Sequence, residues 1–198
     1  ELIPSGETSS YRSNPLGLAE FTLSRKDPAY VGRAKEVQVA EKAIQNGECP
    51  AEALPELKSV FEAVHTKYPQ VDKTNVGVGS TIFAVKPGDG SAREQAASCQ
   101  RVLGGMANIA REYATKRYRS NLINWGMLPF IFDGDLPFDK DDYILVKDVK
   151  DAIANKKDSV KAYVVNKGMK EMEFKLGRLT DDEREIILKG CLINYNKK

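Results

Sequence analysis

At residues 88–95 the chain reads GDGSAREQ, directly after the apolar run TIFAV at residues 81–85. The apolar run is typical of a strand, and the segment from residue 93 onward has a helical pattern. A glycine-rich turn between a strand and a helix lets the backbone approach a ligand closely and points free N–H groups at an anion. The turn therefore indicates an anion-binding site.

The same turn can also be interpreted as a simple helix cap. In that case Ser91 or Asp89 accepts a hydrogen bond from the next turn, and Arg93 remains in solvent. Short motifs of this kind often occur by chance. Taken alone, the turn leaves both interpretations open, so the segments that follow it have to decide between them.

Three further stretches follow in order: LGG at residues 103–105, NLINWGMLP at residues 121–129, and a helical segment at residues 179–195. Together with residues 88–95, the first two of these stretches resemble motifs of the swivelling C-terminal domain of the aconitase family. The family's motifs read GEGSSRE, then LGG, then NLxxxG(M/L)LP. The last is similar to the terminal helix of isopropylmalate isomerase small subunits. An ordered series of motifs is far more specific than any one of them.

Length and composition bound the class of protein. The chain has 198 residues, 41% hydrophobic and 29% charged, with a formal net charge of +2. We expect one domain, 1–198, that contains a helical insertion at about 31–69 and is excised from a larger chain. Near-neutral charge argues against nucleic-acid binding, and no apolar run is long enough for a membrane span. Three widely spaced cysteines suggest reduced thiols and a cytoplasmic location.

The resemblance implies a mixed α/β fold, the β/β/α swivelling domain of the aconitase type, with an accessory helical hairpin. Periodicity predicts helices over 31–46 and from residue 57 to about 68, and strands over 142–146, 160–166 and 169–176. Alanine content and apolar spacing favour a helix over 109–117, and a short strand is the alternative. Thr180 and Glu183 form a capping-box pattern that opens a terminal helix.

The resemblance also implies the chemistry, which is that of a hydro-lyase or isomerase acting on di- or tricarboxylic hydroxy acids. Ser91 matches the family's serine base, and Arg93 matches its carboxylate-binding arginine. Gly90 and Ala92 flank Ser91 and are expected to line the substrate site. Ala92 departs from the family's second serine, which removes one hydroxyl donor and puts the substrate's identity in question. Gln95 replaces a histidine common in the motif.

Arg12 is a further candidate for substrate binding, because YRSN at residues 11–14 has chemistry similar to an earlier arginine turn of the family. A disordered start of the chain is the alternative. The lone His65 is expected to be a surface or packed residue. No metal ligands are predicted in this chain. The resemblance places a 4Fe–4S cluster on other, cluster-bearing domains or on a large subunit, where one iron acts as a Lewis acid.

Three hypotheses follow. The first is the C-terminal substrate-closing domain of a cluster-dependent hydratase acting on a substrate such as citrate, cis-aconitate or isocitrate, inactive when isolated. The alternative is the small subunit of an isopropylmalate or homoaconitate isomerase, which the stretch at residues 179–195 supports. The third is a non-catalytic RNA-binding or regulatory module, which the near-neutral charge disfavours.

Overall fold

The computed structural model describes residues 2–4, 6, 8–11 and 13–197. Within these residues the helices are α1 Pro15–Ala19, α2 Tyr30–Gln45, α3 Leu57–Lys67, α4 Arg93–Val102, α5 Lys116–Asn124, α6 Val149–Ala154, α7 Asp181–Leu188 and α8 Leu192–Asn196. The strands are β1 Ser80–Ala84, β2 Gly105–Ala110, β3 Leu128–Ile131, β4 Ile144–Val146, β5 Ser159–Val164 and β6 Lys170–Lys175. Short 3-10 helices lie at Ser9–Tyr11, Pro50–Glu52 and Val165–Lys167.

All six strands form one sheet in the order β1-β2-β3-β6-β5-β4. The strands β1, β2 and β3 are parallel, and helices connect them. The strands β6, β5 and β4 continue the sheet in antiparallel pairing. The fold is therefore mixed α/β, as expected. Ligands of such sheets bind beyond the carboxyl ends of the parallel strands, which here is the edge where residues 85–92 begin.

The core lies in two main parts. The larger packs the inner faces of β2, β3, β5 and β6 against α6 and α7, with Phe130 and Phe174 stacked at 4.7 Å between ring centroids. The second joins β1 to α1, α2 and α4. In β6 the alternation of Met172 and Phe174 with glutamates puts the apolar residues inward, which confirms the half-buried strand.

Most helices and strands predicted from periodicity are present, but the helix predicted over 109–117 is wrong. Residues 105–110 form the strand β2, which lies between β1 and β3, and its residues Ala107–Ala110 are buried. A strand covered on both faces reads as a continuous apolar run, so alanine content misled the prediction. The single terminal helix is also wrong, because α7 ends at Leu188 and a separate α8 follows Cys191. The capping box at Thr180 is confirmed.

Two stretches that carried the family resemblance meet in space. Gly126, with a φ of 73°, lies against the backbone of Gly190, and a Cβ at Gly126 would come within 1.8 Å of the Gly190 carbonyl oxygen. Only glycine allows both this conformation and this approach. Beside this contact, Arg119 on α5 reaches Glu183 and the Arg178 carbonyl, which ties α5 to α7. Arg119 thus has a packing role between these two helices.

Candidate functional site

A cleft of about 480 Å³ opens where β1 ends and α4 begins. Residues 86–93 form one side of it, and the end of β1, α4, the start of the chain and the loop after α1 also contribute to the lining. Ser91, Arg93, Gly90 and Ala92, the residues predicted to form a substrate site, all line the cleft, and their roles stay predictions. The location fits the general preference for ligands at the carboxyl ends of parallel strands.

The segment that follows β2 holds the turn in place through hydrogen bonds. The Ala114 amide donates to the Pro87 carbonyl at 2.9 Å, and the Thr115 hydroxyl donates to the Gly88 carbonyl at 3.0 Å. Thr115 is also the N-cap of α5 and accepts from the Tyr118 amide. The turn therefore has fixed backbone partners and is pre-organised for a ligand.

Gly88 packs directly onto Tyr118. Its φ is +97°, and a Cβ added there would stand 2.4 Å from the Tyr118 Cβ. A side chain at this position would thus be strained and would also collide with a fully buried ring. The turn is therefore packed tightly against Tyr118 of α5 at this point.

Tyr118 belongs to a buried polar network beneath the turn. Its hydroxyl donates to Asn108 Oδ1 at 2.6 Å and accepts from Gln100 Nε2 at 3.0 Å, and Asn108 Nδ2 donates to Gln100 Oε1 at 2.7 Å. The three side chains are almost completely inaccessible to solvent. Burial raises the pKa of Tyr118, so the hydroxyl stays protonated and neutral. A fully satisfied network of this kind rigidifies the core around it.

The helix-cap interpretation of the turn is wrong. The N-cap of α4 is Ala92, which has no side chain that can accept a hydrogen bond, and neither Ser91 nor Asp89 replaces it. The first N–H groups of α4 therefore have no capping side chain within the described part of the chain, and they carry the positive end of the helix dipole. Glu94 in the first turn is held by the Trp125 indole N–H at 2.8 Å.

The two main candidates have unused polar groups in the cleft. Ser91 is exposed, and its hydroxyl makes no hydrogen bond within the part of the chain that the structure describes. Arg93 is half-buried, and its Nε atom is buried without a hydrogen-bond partner among those residues. Leaving a buried guanidinium nitrogen unpaired is costly, and the guanidinium as a whole is a group that binds carboxylates.

Three charged residues of the lining were not assigned to a site from the sequence: Lys26, Lys86 and Asp89. Lys26 lies more than sixty positions before the motif, so only the folded chain brings it there. Among the described residues, the lining with Arg93 carries three cations and one carboxylate. This balance favours an anionic ligand.

Other candidates lie away from the cleft or outside the described residues. Arg12 is not among the described residues, so its role stays a prediction. His65 is exposed on α3, as expected of a surface residue. Cys49 is exposed, Cys191 precedes α8, and burial raises the pKa of Cys99 in α4 to about 11. Over the described ranges, no three His, Cys, Asp or Glu side chains lie together as a metal site would require. None of the described helices has the length and apolarity to cross a bilayer.

Most of the described lining of the cleft lies in a segment that matches a known family. Residues 38–135 match the family model "Aconitase C-terminal domain", and this segment contains β1, the turn, α4, β2, α5 and β3. The chain is 33% identical over 127 residues to aconitate hydratase A of Rickettsia bellii, a match covering 60% of this chain and 14% of the relative. It is 33% identical over 111 residues to the methanogen homoaconitase small subunit of Methanocaldococcus jannaschii, covering 56% of this chain and 57% of that subunit.

Among solved structures, a 3-isopropylmalate dehydratase from Methanocaldococcus jannaschii is 29% identical, covers 72% of this chain and 81% of its own, and has a TM-score of 0.45. The chain spans about one seventh of the length of the aconitate hydratase and somewhat more than half of the length of the homoaconitase small subunit. The matched segment carries the whole glycine turn and its supporting strands. Through that segment, the chain belongs to the aconitase C-terminal domain family.

Proposed function

We propose that this chain supplies the base and one carboxylate-binding site of a hydro-lyase or isomerase acting on a di- or tricarboxylic hydroxy acid. Similarity to the methanogen homoaconitase small subunit supports a small-subunit type of chain better than the closing domain of a single-chain aconitase. The observation that carries the proposal is the cleft in which Ser91 and Arg93 stand beside an uncapped helix N-terminus with unused polar groups.

Ser91 is the proposed base, which takes the proton from the substrate carbon next to a carboxylate. An ordinary serine hydroxyl ionises far above neutral pH, so a base at this position needs local stabilisation of its alkoxide. The free N–H groups at the start of α4, the helix dipole and the Arg93 cation all favour a negative charge beside Ser91. Because the Gly88 carbonyl is tied to Thr115, the turn stays in place when charge develops.

Arg93 is the proposed carboxylate ligand. Its planar guanidinium can donate two parallel hydrogen bonds to one carboxylate, and this fixes the substrate's orientation as well as its position. Among the described residues the Nε atom of Arg93 is buried without a hydrogen-bond partner, which supports this assignment. Ala92, by offering only a methyl group, leaves the backbone N–H groups of α4 free to serve the same ligand.

The cluster that the family resemblance implies does not fit this chain. Its three cysteines lie on separate elements, and Cys99 is buried in α4. The proposal therefore assigns the cluster, with its Lewis-acid chemistry, to a partner chain that closes on the cleft. The isolated chain is accordingly expected to be inactive, because its cleft holds a base and cations but no group to activate the leaving hydroxyl.

Co-expression with a cluster-bearing large chain, anaerobic purification and assay of cis-aconitate, homoaconitate and isopropylmalate conversion test the proposal. We expect the two chains to copurify in equal amounts and to convert at least one of these acids, with neither chain active alone. Conversion by the large chain alone at the rate of the complex, or no conversion by a complex with a well-formed cluster, would contradict it. The Ser59→Ala variant, which changes an exposed serine of α3, is the matched control for Ser91→Ala.

A further inference from the structure

A second concave site lies on the antiparallel half of the sheet, where β5 passes between α6 and the end of α3. This groove has a volume of about 340 Å³ and shares none of its lining residues with the cleft. We propose that the groove is a second anion site, which binds the phosphate group of a small ligand. The site stands apart from the proposed function, because the two use different residues.

The floor of the groove is buried and largely apolar. Val160 of β5 is 6% exposed, and Ala152 of α6 and Tyr163 of β5 are each 3% exposed. Tyr68, the C-cap of α3, adds a second ring, whose centroid lies 5.5 Å from that of Tyr163. Small-ligand pockets commonly combine such a floor with a few well-placed polar groups.

Lysines supply the polar groups at the rim. The lysines that line the groove are Lys147, Lys157 and Lys161. The Lys147 ammonium lies 5.1 Å from the centroid of Tyr68, and the ammonium of nearby Lys67 lies 4.3 Å from that of Tyr163. These ring contacts hold two positive charges beside the floor. Several point charges without a planar fork suit the tetrahedral oxygens of a phosphate, which can be approached from several directions.

Two carboxylates also line the groove, and both already have partners. Asp148 pairs with Lys147, and Glu173 accepts a hydrogen bond from the Ser159 hydroxyl. The Asp148 side chain is 63% exposed, so its ion pair contributes little to stability. A ligand with two negative charges can therefore compete with Asp148 for the Lys147 ammonium.

The other two lysines of the rim are available in the same way. Lys157 is exposed and makes no ion pair with any residue in the described ranges. Lys161 lies 3.2 Å from Glu171, but both side chains of this pair are more than half exposed, and it is weak for that reason. The rim thus keeps an uncompensated positive charge at Lys157, and an anion reduces the repulsion among its lysines.

The backbone is strained on both sides of the groove. Asp148, at the start of α6, has a φ of 54°, and Lys156, just after its end, has a φ of 56°. Residues other than glycine rarely adopt this left-handed conformation, and it persists where the surroundings enforce it. The two turns carry Lys147 and Lys157 into the lining. Strain of this kind often accompanies ligand clamps, which agrees with a binding role for the groove.

Titration of the full chain with AMP, inorganic phosphate and adenosine, followed by backbone amide chemical shifts, tests the proposal. We expect AMP to shift the signals of residues 147–148 and 157–163 with a dissociation constant of about 1 mM or below. Lys157→Met should weaken this binding by about tenfold, with the dispersion of the amide spectrum showing that the variant is folded. Lys170→Met, which removes an exposed lysine of β6 outside the groove, should leave the binding unchanged.

The same titrations distinguish a nucleotide from free phosphate. If the base of AMP lies against Tyr68, Tyr68→Leu weakens the binding of AMP but not that of inorganic phosphate. If free phosphate is the ligand, the two anions bind alike and Tyr68→Leu changes neither; both results support a phosphate site. Three results would overturn it: shifts confined to residues 86–93, adenosine binding as tightly as AMP, or Lys157→Met binding both anions as the wild type does. Because Ser91 lies outside the groove, Ser91→Ala should not alter these shifts whatever its effect on turnover.

Discussion

The sheet has two halves that are built differently. The parallel half, β1 to β3, supports the glycine turn and contains a buried network of polar side chains, an uncapped helix and an unpartnered arginine nitrogen. The antiparallel half, β4 to β6, has alternating inward apolar and outward charged residues, and its charges are paired on the surface. Exceptions to local rules occur in both halves. In the parallel half they lie around one cleft, whereas in the antiparallel half the positive φ values of Asp148, Lys156 and Met169 lie in separate turns.

This difference indicates where function has shaped the chain. Sequences tend to agree with local structural rules except at functional sites, where the loss of stability is retained for the sake of chemistry. In the parallel half the exceptions cluster around one cleft: Ala92 as an N-cap, Gly88 at a positive φ and Arg93 with an Nε atom that has no partner among the described residues. The predictions below compare matched positions in the two halves.

The largest expected effect comes from Gly88→Ala. The added methyl would stand 2.4 Å from Tyr118 in a backbone conformation unfavourable for alanine, so we expect the free energy of unfolding to fall by about 3 kcal/mol or more. The control is Gly168→Ala between β5 and β6, where φ is +66° but no atom lies within 4 Å of the new methyl. That variant should lose only about 1 kcal/mol. Urea unfolding measures both, and equal losses would contradict the packing argument.

Tyr118→Phe should have the next largest effect. It leaves Asn108 Oδ1 without its donor inside the core, so we expect a loss of about 2 kcal/mol in the free energy of unfolding. Tyr195→Phe removes a hydroxyl that bonds to Asp182 on the surface, where water replaces it, and should cost well under about 1 kcal/mol. If the two variants lose the same stability by chemical denaturation, the buried network does not stabilise the parallel half as described.

The helix caps provide a pair with opposite signs. Ala92→Ser gives α4 a residue that can accept from its free N–H groups, and we expect about 1 kcal/mol of added stability. Thr180→Ala removes the capping box of α7 and should cost about 1 kcal/mol. Thermal unfolding of both variants checks the signs. A destabilised Ala92→Ser variant would mean that the start of α4 is not short of an acceptor.

The smallest effect is the pH dependence of the Asp27–Arg33 pair. The pKa of Asp27 is lowered in the folded protein, so its contribution to stability is complete above the unfolded-state pKa of about 3.9 and is lost as the pH falls through the lower, folded value. For this partly exposed pair we expect a contribution to the free energy of unfolding below about 1 kcal/mol. The difference in unfolding free energy between wild type and Asp27→Asn, measured by urea titration from neutral to strongly acidic pH, should therefore shrink. A difference that is constant with pH would contradict this pairing.

Much of this architecture could be predicted from the sequence, because local chemistry specifies it. The alternation in β6, the capping box at Thr180 and the strand–turn–helix around residues 88–95 follow from short-range patterns. The strand β2 could not be recognised as such, since its burial between β1 and β3 is a property of the whole sheet and overrides alanine's helix propensity.

The candidate site was predictable only in part, for a similar reason. Ser91 and Arg93 lie within one motif and were found together. Lys26 and the Gln100–Asn108–Tyr118 network depend on contacts between residues distant in sequence, and no local pattern marks them. The glycines of the turn predicted a close approach to a ligand, whereas the close approach that the structure shows at Gly88 is to Tyr118 of the protein itself.

The central claim is that Ser91 performs chemistry while Arg93 binds substrate, and steady-state kinetics of the assembled enzyme tests it most directly. For Ser91→Ala, we expect kcat to fall by about a thousandfold with KM nearly unchanged. For Arg93→Gln, we expect KM to rise by about tenfold or more. A Ser91→Ala variant that kept the kcat of the wild type and of the Ser59→Ala control would show that the base lies elsewhere.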